Sequence, residues 1–172
     1  GDGTFGAVIN TAAGGSPSSL STGDFNRDGK TDVAAVIFTG VNILLGNGNG
    51  MFQTQVNYAA GQAPFAAAVS DFNSDGKLDL AVANFTSNDV SVLLGNGDGT
   101  FQGAVNYGAG QGPFSIAVGD FDLDTKPDLV VGNFSGNDVS VLLGNGNGVF
   151  RTPIKYAVGD QPVSLTVNDF NT

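Results

Sequence analysis

The sequence predicts an all-β protein assembled from repeated four-stranded antiparallel sheets, and three observations predict it. The first is composition. Among 172 residues there are 27 glycines and 13 phenylalanines, and all 16 acidic residues are aspartate. Good helix formers such as Met, Lys, Arg and Glu are scarce or missing, whereas Val, Phe, Asn, Asp and Gly dominate. The second observation is a period. "LLGNGNGMF" at 44–52 returns as "LLGNGDGTF" at 93–101 and "LLGNGNGVF" at 142–150. "DFNRDGKTD" at 24–32 returns as "DFNSDGKLD" at 71–79 and "DFDLDTKPD" at 120–128, with "DFNT" at 169–172 opening a fourth copy. The third is that each period divides into four short apolar runs separated by turn residues. Four strands per 47 to 49 residues is the pattern of a β-propeller blade; a solenoid repeat is usually nearer 20 to 30 residues.

The elements follow in order along the middle repeat. A strand at 65–72 leads into the aspartate loop. The run at 78–85 is apolar at nearly every position, as a strand buried on both faces would be. After a turn at 86–89 comes a third strand at 90–94. "GNGDG" at 95–99 is a glycine-rich hairpin, since Gly and Asn enter positive φ at low cost. A fourth strand is expected over 101–107. The first repeat is two residues shorter, "IFTGVNI" at 37–43 replacing "NFTSNDVSV" at 84–92, which places its turn beside Gly40. A G-x-x-P step recurs at 14–17, 61–64, 110–113 and 159–162.

Counted this way the chain holds 14 strands, about three and a half blades of one partial propeller domain (1–172). The repeats run over approximately 14–60, 61–109 and 110–158, with half-blade pieces at 1–13 and 159–172. An outer strand is expected around 4–10 and an inner strand at 163–170. A ring needs at least about four blades, so the reading expects a fragment of a larger, seven-bladed-type propeller, or a homodimer or strand-exchanged assembly that completes one. Against two simple halves stands the strand count, because each junction would hold only a first and a fourth strand.

Charge and composition exclude several functions. A net charge of −10 with six basic residues cannot neutralise a phosphate track, so nucleic acid is excluded as a partner. No apolar run approaches the roughly 18 residues that span a bilayer, and no signal peptide is visible; a leader or tag removed before residue 1 is compatible with the missing Met. With no Cys there is no disulfide framework. With no His, Cys or Glu, acid–base catalysis would fall to Asp alone, so an enzyme is not expected.

Most aspartates fall in the nine-residue loops. A hard cation such as Ca²⁺ takes six to eight oxygens in irregular geometry. Loop positions 1, 3 and 5 converge when the backbone coils, glycine at 6 permits the turn, position 7 offers its carbonyl and position 9 closes the shell. The candidate ligands are Asp24, Asn26, Asp28, the Lys30 carbonyl and Asp32 in the first loop. They are Asp71, Asn73, Asp75, the Lys77 carbonyl and Asp79 in the second. The third offers Asp120, Asp122, Asp124, the Lys126 carbonyl and Asp128, but Thr125 replaces the glycine and Pro127 constrains the residue before it. Asp, Asn and Gly also make ordinary turns; three copies in register favour metal, since crowded carboxylates repel unless a cation sits among them. Two calcium sites are expected, with the third loop a further candidate, and the lysines at position 7 are expected to point to solvent.

With these residues in place, the chain resembles the FG-GAP/VCBS repeats of integrin-α-like propellers. The resemblance rests on D-F-N-x-D-G-x-x-D before an apolar strand, on "LLGNGDGTF" and on G-x-x-P, all recurring in order. It implies a propeller, commonly seven-bladed, with calcium in hairpin loops on one face. The metal role it implies falls on Asp24, Asn26, Asp28 and Asp32, on Asp71, Asn73, Asp75 and Asp79, and on Asp120, Asp122, Asp124 and Asp128. Three functions follow as expectations: a secreted or cell-surface adhesion module for a protein ligand, a lectin binding a glycan, or the non-catalytic part of a larger secreted enzyme. Tyr58, Tyr107 and Tyr156 recur at the period and suit packing or a repeated sugar site. "NFT" (84–86) and "NFS" (133–135) match the N-glycosylation acceptor at strand ends, where turn chemistry already explains them.

Overall fold

In the computed structural model, which describes residues 7–169, the valine- and alanine-rich runs pair into twelve strands with no helix among those residues. The first sheet comprises β1 (Ser19–Gly23), β2 (Asp32–Ile37), β3 (Gly40–Leu44) and β4 (Val56–Tyr58). The second comprises β5 (Pro64–Ser70), β6 (Asp79–Asn84), β7 (Asp89–Leu93) and β8 (Val105–Gly108). The third comprises β9 (Pro113–Gly119), β10 (Asp128–Asn133), β11 (Asp138–Leu142) and β12 (Ile154–Ala157). Each is an antiparallel meander in sequence order, the sheet of a propeller blade.

Why the second strand of each blade is so apolar is now visible. All six residues of β6 and of β10 are buried, because blades pack face to face and the core lies between them. One core joins Phe25, Val36, Val41 and Ile43 of the first blade to Leu80, Val82, Leu93 and Phe101 of the second. The next joins Phe72, Val90 and Val92 to Leu129, Val131, Leu142 and Phe150. Each joint is pinned by the same aromatic triad. Phe101 meets Phe25 and Tyr58 edge-on with centroids 5.5 and 5.4 Å away, and Phe150 meets Phe72 and Tyr107 at 5.5 Å each. Two of the periodic tyrosines are therefore packing residues.

The fourth strands depart from expectation. They begin four residues late, at Val105 rather than 101, because Phe101 is held by a single bridge to Gly95 that closes the glycine hairpin. The terminal half-blades also differ. Residues 7–10 and 163–169 are described and form no strand, while 1–6 and 170–172, with the remainder of those expected strands, lie outside the described residues. An outer strand needs a third strand to pair with and an inner strand needs a second, and neither partner is among the described residues. Those residues hold twelve strands in three blades.

Alternation along the meander sorts the connections onto two faces. The aspartate loops and glycine hairpins emerge together on one; the G-x-x-P steps and the turns between second and third strands emerge on the other.

Candidate metal centre

Each aspartate loop is coiled by its own hydrogen bonds. Asp24 accepts the amides of Asp28 (3.0 Å) and Gly29 (2.8 Å), and Asn26 Oδ1 accepts the Asp28 amide as well. Asp71 and Asn73 do the same for Asp75 and Gly76, and Asp120 for Asp124 and Thr125. The coil needs two residues at positive φ: Arg27 and Gly29 (60° and 79°), Ser74 and Gly76 (59° and 78°), Leu123 and Thr125 (60° and 68°). Thr125 thus takes the conformation of the glycine it replaces, and the third loop keeps its shape at the expense of a β-branched residue in the left-handed region.

The loops bring together only part of the expected ligand set. Carboxylate oxygens of Asp120, Asp122 and Asp124 lie within 4.8 Å of one another. Asp24, Asn26, Asp28 and Asp71, Asn73, Asp75 occupy the same positions of equivalent coils. The position-9 aspartates are placed differently. Asp32, Asp79 and Asp128 are fully buried, and each accepts two backbone amides: Asp32 from Phe25 and Gly46, Asp79 from Phe72 and Gly95, Asp128 from Phe121 and Gly144, at 2.7–2.8 Å. They lock loop to hairpin. An ionised carboxylate has about four acceptor sites, so capacity for a further partner remains. A Cβ on Gly46, Gly95 or Gly144 would run into the carbonyl oxygen of Thr31, Leu78 or Pro127, which is why the hairpin opens with glycine.

The position-7 lysines stay partly exposed, as expected, but pair with the loop. Their ammonium groups fold back onto the loop, Lys30 to Asp28 at 2.8 Å, Lys77 to Asp75 at 3.0 Å and Lys126 to Asp124 at 2.7 Å. Two carboxylates and an asparagine oxygen in the first two loops, and three carboxylates in the third, make each coil electronegative, and the nearest cation is drawn to it. The lysine ammonium, followed by the loop's own amides, holds the Asp28 and Asp124 carboxyls below the usual range, and the Lys77 ammonium leads the same shift at Asp75. Lys30 is raised in return by Asp28. Asp79 moves the opposite way, because burial pushes it up against the pull of the Gly95 and Phe72 amides. Arg151 approaches Asp122, the extra carboxylate of the third loop, at 3.8 Å.

The donor set fits calcium. It is all oxygen, it is anionic, and the coil places positions 1, 3 and 5 around one point.

The opposite face carries a feature the sequence reading missed. Phe65 and Phe114 are each the extra residue of a β-bulge, where Pro64 and Ala66 pair with Asn84 and Ala83, and Pro113 and Ser115 with Asn133 and Gly132. A bulge re-aims a side chain, and these two rings stack with centroids 3.8 Å apart. Phe85 and Phe134 extend the cluster. With Phe38, 80% exposed, they line a groove of about 510 Å³ that also reaches Ser16 and Ser18. Its signal is the recurrence of Pro-Phe at 64–65 and 113–114, and of a phenylalanine at 38, 85 and 134. The asparagines preceding the last two, Asn84 and Asn133, are fully buried. Their amides donate to Asp89 and Ser91, and to Asp138 and Ser140, so the matched acceptors are interior residues.

Repeated antiparallel blades with a coiled aspartate loop on one face define a β-propeller repeat. The profile of the FG-GAP-like repeat matches residues 24–82, 71–131 and 120–172, and the chain belongs to that family. No curated protein matches it. Among solved structures, it is similar to an Agrocybe aegerita lectin that recognises non-reducing terminal N-acetylglucosamine, with 22% identity and a TM-score of 0.55 over 79% of this chain. It is also similar to BBS1N, solved in complex with ARL6DN, with 15% identity and a TM-score of 0.59 over 87% of this chain. These likenesses concern the fold, and the chain spans 37% and 42% of the two structures' lengths.

Proposed function

We propose that this chain is a calcium-stabilised, non-catalytic propeller module of the extracellular or cell-surface setting, holding a protein ligand. The observation that carries it is the triplicate aspartate coil, its carboxylate oxygens crowded within 4.8 Å in the third copy. Asp24, Asn26 and Asp28 with the Lys30 carbonyl and Asp32 would hold one ion. Asp71, Asn73, Asp75, the Lys77 carbonyl and Asp79 would hold a second. The set Asp120, Asp122, Asp124, Lys126 and Asp128 is a candidate for a third. Bound calcium supplies charge neutralisation that ties each loop to the blade. The lysine ammonium that neutralises the loop in its place is displaced outward.

Exposed loops of this kind bind in the range of about 10⁻⁴ to 10⁻³ M, which suits the millimolar calcium outside cells. Titration calorimetry tests the assignment. Two to three calcium ions per chain are expected, with one lost in each of Asp24→Ala and Asp71→Ala; absence of binding at millimolar calcium overturns it. A second reading, a glycan-binding module, is favoured by the lectin among its structural relatives and by the exposed Phe38 ring on the groove face. A glycan array in calcium buffer separates the two readings.

A further inference from the structure

We propose that the groove face receives an asparagine of the protein ligand in a notch between the first and second blades, left open by the two-residue deletion in the first repeat. The inference rests on the protein-ligand reading and deepens it, naming what the ligand presents and where. The chain shows twice how such a notch is filled. In the later repeats one asparagine, in the turn between second and third strands, accepts two amides of the G-x-x-P step that follows its blade. Asn88 takes Ala109 on its backbone carbonyl at 3.0 Å and Gly112 on its side-chain Oδ1 at 2.9 Å. Asn137 takes Val158 at 3.1 Å and Gln161 at 2.9 Å in the same way.

The first repeat keeps the donors and lacks the acceptor. Ile37 pairs with Gly40, so its turn holds Phe38 and Thr39 alone, where four residues separate Asn84 from Asp89 and Asn133 from Asp138. The donors one period back are the Ala60 and Ala63 amides. Ala63 already has the left-handed conformation of its counterparts, with φ of 52° against 66° for Gly112 and 53° for Gln161. Between the two, the Gly61 and Gln62 amides are taken by Ser91 and Ser87 of the second blade. No acceptor among the described residues meets Ala60 or Ala63. Beside Ala63 lies a cavity of about 380 Å³, lined by Phe38, Thr39, Gly61, Gln62, Ala63 and Thr86. Both blades of this joint lie wholly within the described residues, so the notch does not depend on where the chain begins or ends.

The chemistry that fits is that of the missing residue. Two N–H donors ask for two carbonyl oxygens, which one asparagine of a peptide carries on its backbone and its side chain. An acetamido group on a sugar offers one carbonyl for the two donors. Water that holds the amides in the open notch is exchanged for these carbonyls. No charged side chain lines the cavity, and a net charge of −10 disfavours an aspartate in the same place. Phe38 and Ala63 also line the phenylalanine groove, so an apolar residue near that asparagine has rings to lie against. The second blade's own turn has this order, Phe-Thr-Ser-Asn at 85–88.

Amide NMR of the whole chain in calcium tests the notch, with the sister-turn peptide acetyl-Phe-Thr-Ser-Asn-Asp-Val-amide as the probe. Before any addition, the Ala63 amide should exchange with solvent at least tenfold faster than that of Gly112. The peptide should shift the Ala60 and Ala63 amides saturably, and its Asn→Ala version should bind at least tenfold more weakly. Inserting Ser-Asn between Thr39 and Gly40 rebuilds the sister turn. With circular dichroism confirming a folded chain, the insertion should slow Ala63 exchange toward that of Gly112 and abolish peptide binding. Thr39→Trp, at an exposed turn position, should block binding without lengthening the turn. Equal binding of the Asn and Ala peptides, or binding that survives both variants, would overturn the proposal. Peptide shifts elsewhere on the face with Ala60 and Ala63 unmoved would sink the notch and leave a protein ligand standing. N-acetylglucosamine moving the two amides where the peptide does not would also overturn it and give the notch to a glycan.

Discussion

The residue with the most to hold is the aspartate closing each loop. Asp79 is fully buried and accepts the Phe72 and Gly95 amides. Asp79→Ala leaves two buried donors unpaired and should cost about 3 kcal/mol by urea unfolding in EDTA. Thr125 offers the opposite case. It sits at φ 68° where the sister loops have glycine, and a Cβ at Gly29 or Gly76 meets open space, so the strain is in the backbone alone. Thr125→Gly should stabilise the chain by about 1 kcal/mol in the same assay. The lysines supply a pH test. Lys77 holds the Asp75 carboxyl below its ordinary value, so that pair's contribution is present above pH about 4 and is lost as pH falls through the lowered folded value. In Lys77→Met, a carboxyl NMR titration in EDTA should show Asp75 moving back up toward 3.8; an unmoved titration would mean the loop amides alone depress it.

At the scale of elements, the joints between blades carry the stability. Phe101 fills a joint, whereas Phe121 is 41% exposed. Phe101→Ala should therefore cost about 3–5 kcal/mol, and Phe121→Ala much less in this chain; equal losses would mean the joints are not the core. A second tie is Asn88, at φ 59°, whose side chain accepts the Gly112 amide of the next blade's step at 2.9 Å; Asn137 does the same for Gln161. The two-residue deletion in the first repeat removes this asparagine. Most of these elements were legible in the sequence because each strand's face pattern is repeated three times, and a repeat corrects local ambiguity. The second strands read as doubly buried and are so. The fourth strands were misjudged at one end because Phe101 looks like the start of a strand, whereas its ring fills the joint with the preceding blade. The strands expected around 4–10 and 163–170 followed from periodicity alone, which says where a strand would pair but supplies no partner.

For the whole molecule, the two faces divide the chemistry. Acidic loops gather on one, and the groove of Phe38, Phe65, Phe85, Phe114 and Phe134 lies on the other. The loops were legible because ligand spacing is a sequence property. The separate placement of Asp32, Asp79 and Asp128 was not, since whether a carboxylate faces the loop or the hairpin depends on which amides the fold leaves unpaired. The groove was missed because its rings come from bulges and strand ends spread over three repeats. The loops matter most to the whole molecule as metal sites. A ligand bound only by the folded state stabilises it by RT ln(1 + [L]/Kd), about 2 kcal/mol per site for 2 mM calcium and a Kd near 10⁻⁴ M. Two sites should then raise the melting temperature by roughly 10 °C for a chain of this size. The deciding measurement is a thermal melt in calcium, in magnesium and in EDTA: a rise of that order with calcium alone is the predicted result, and three superimposable melts would contradict the account.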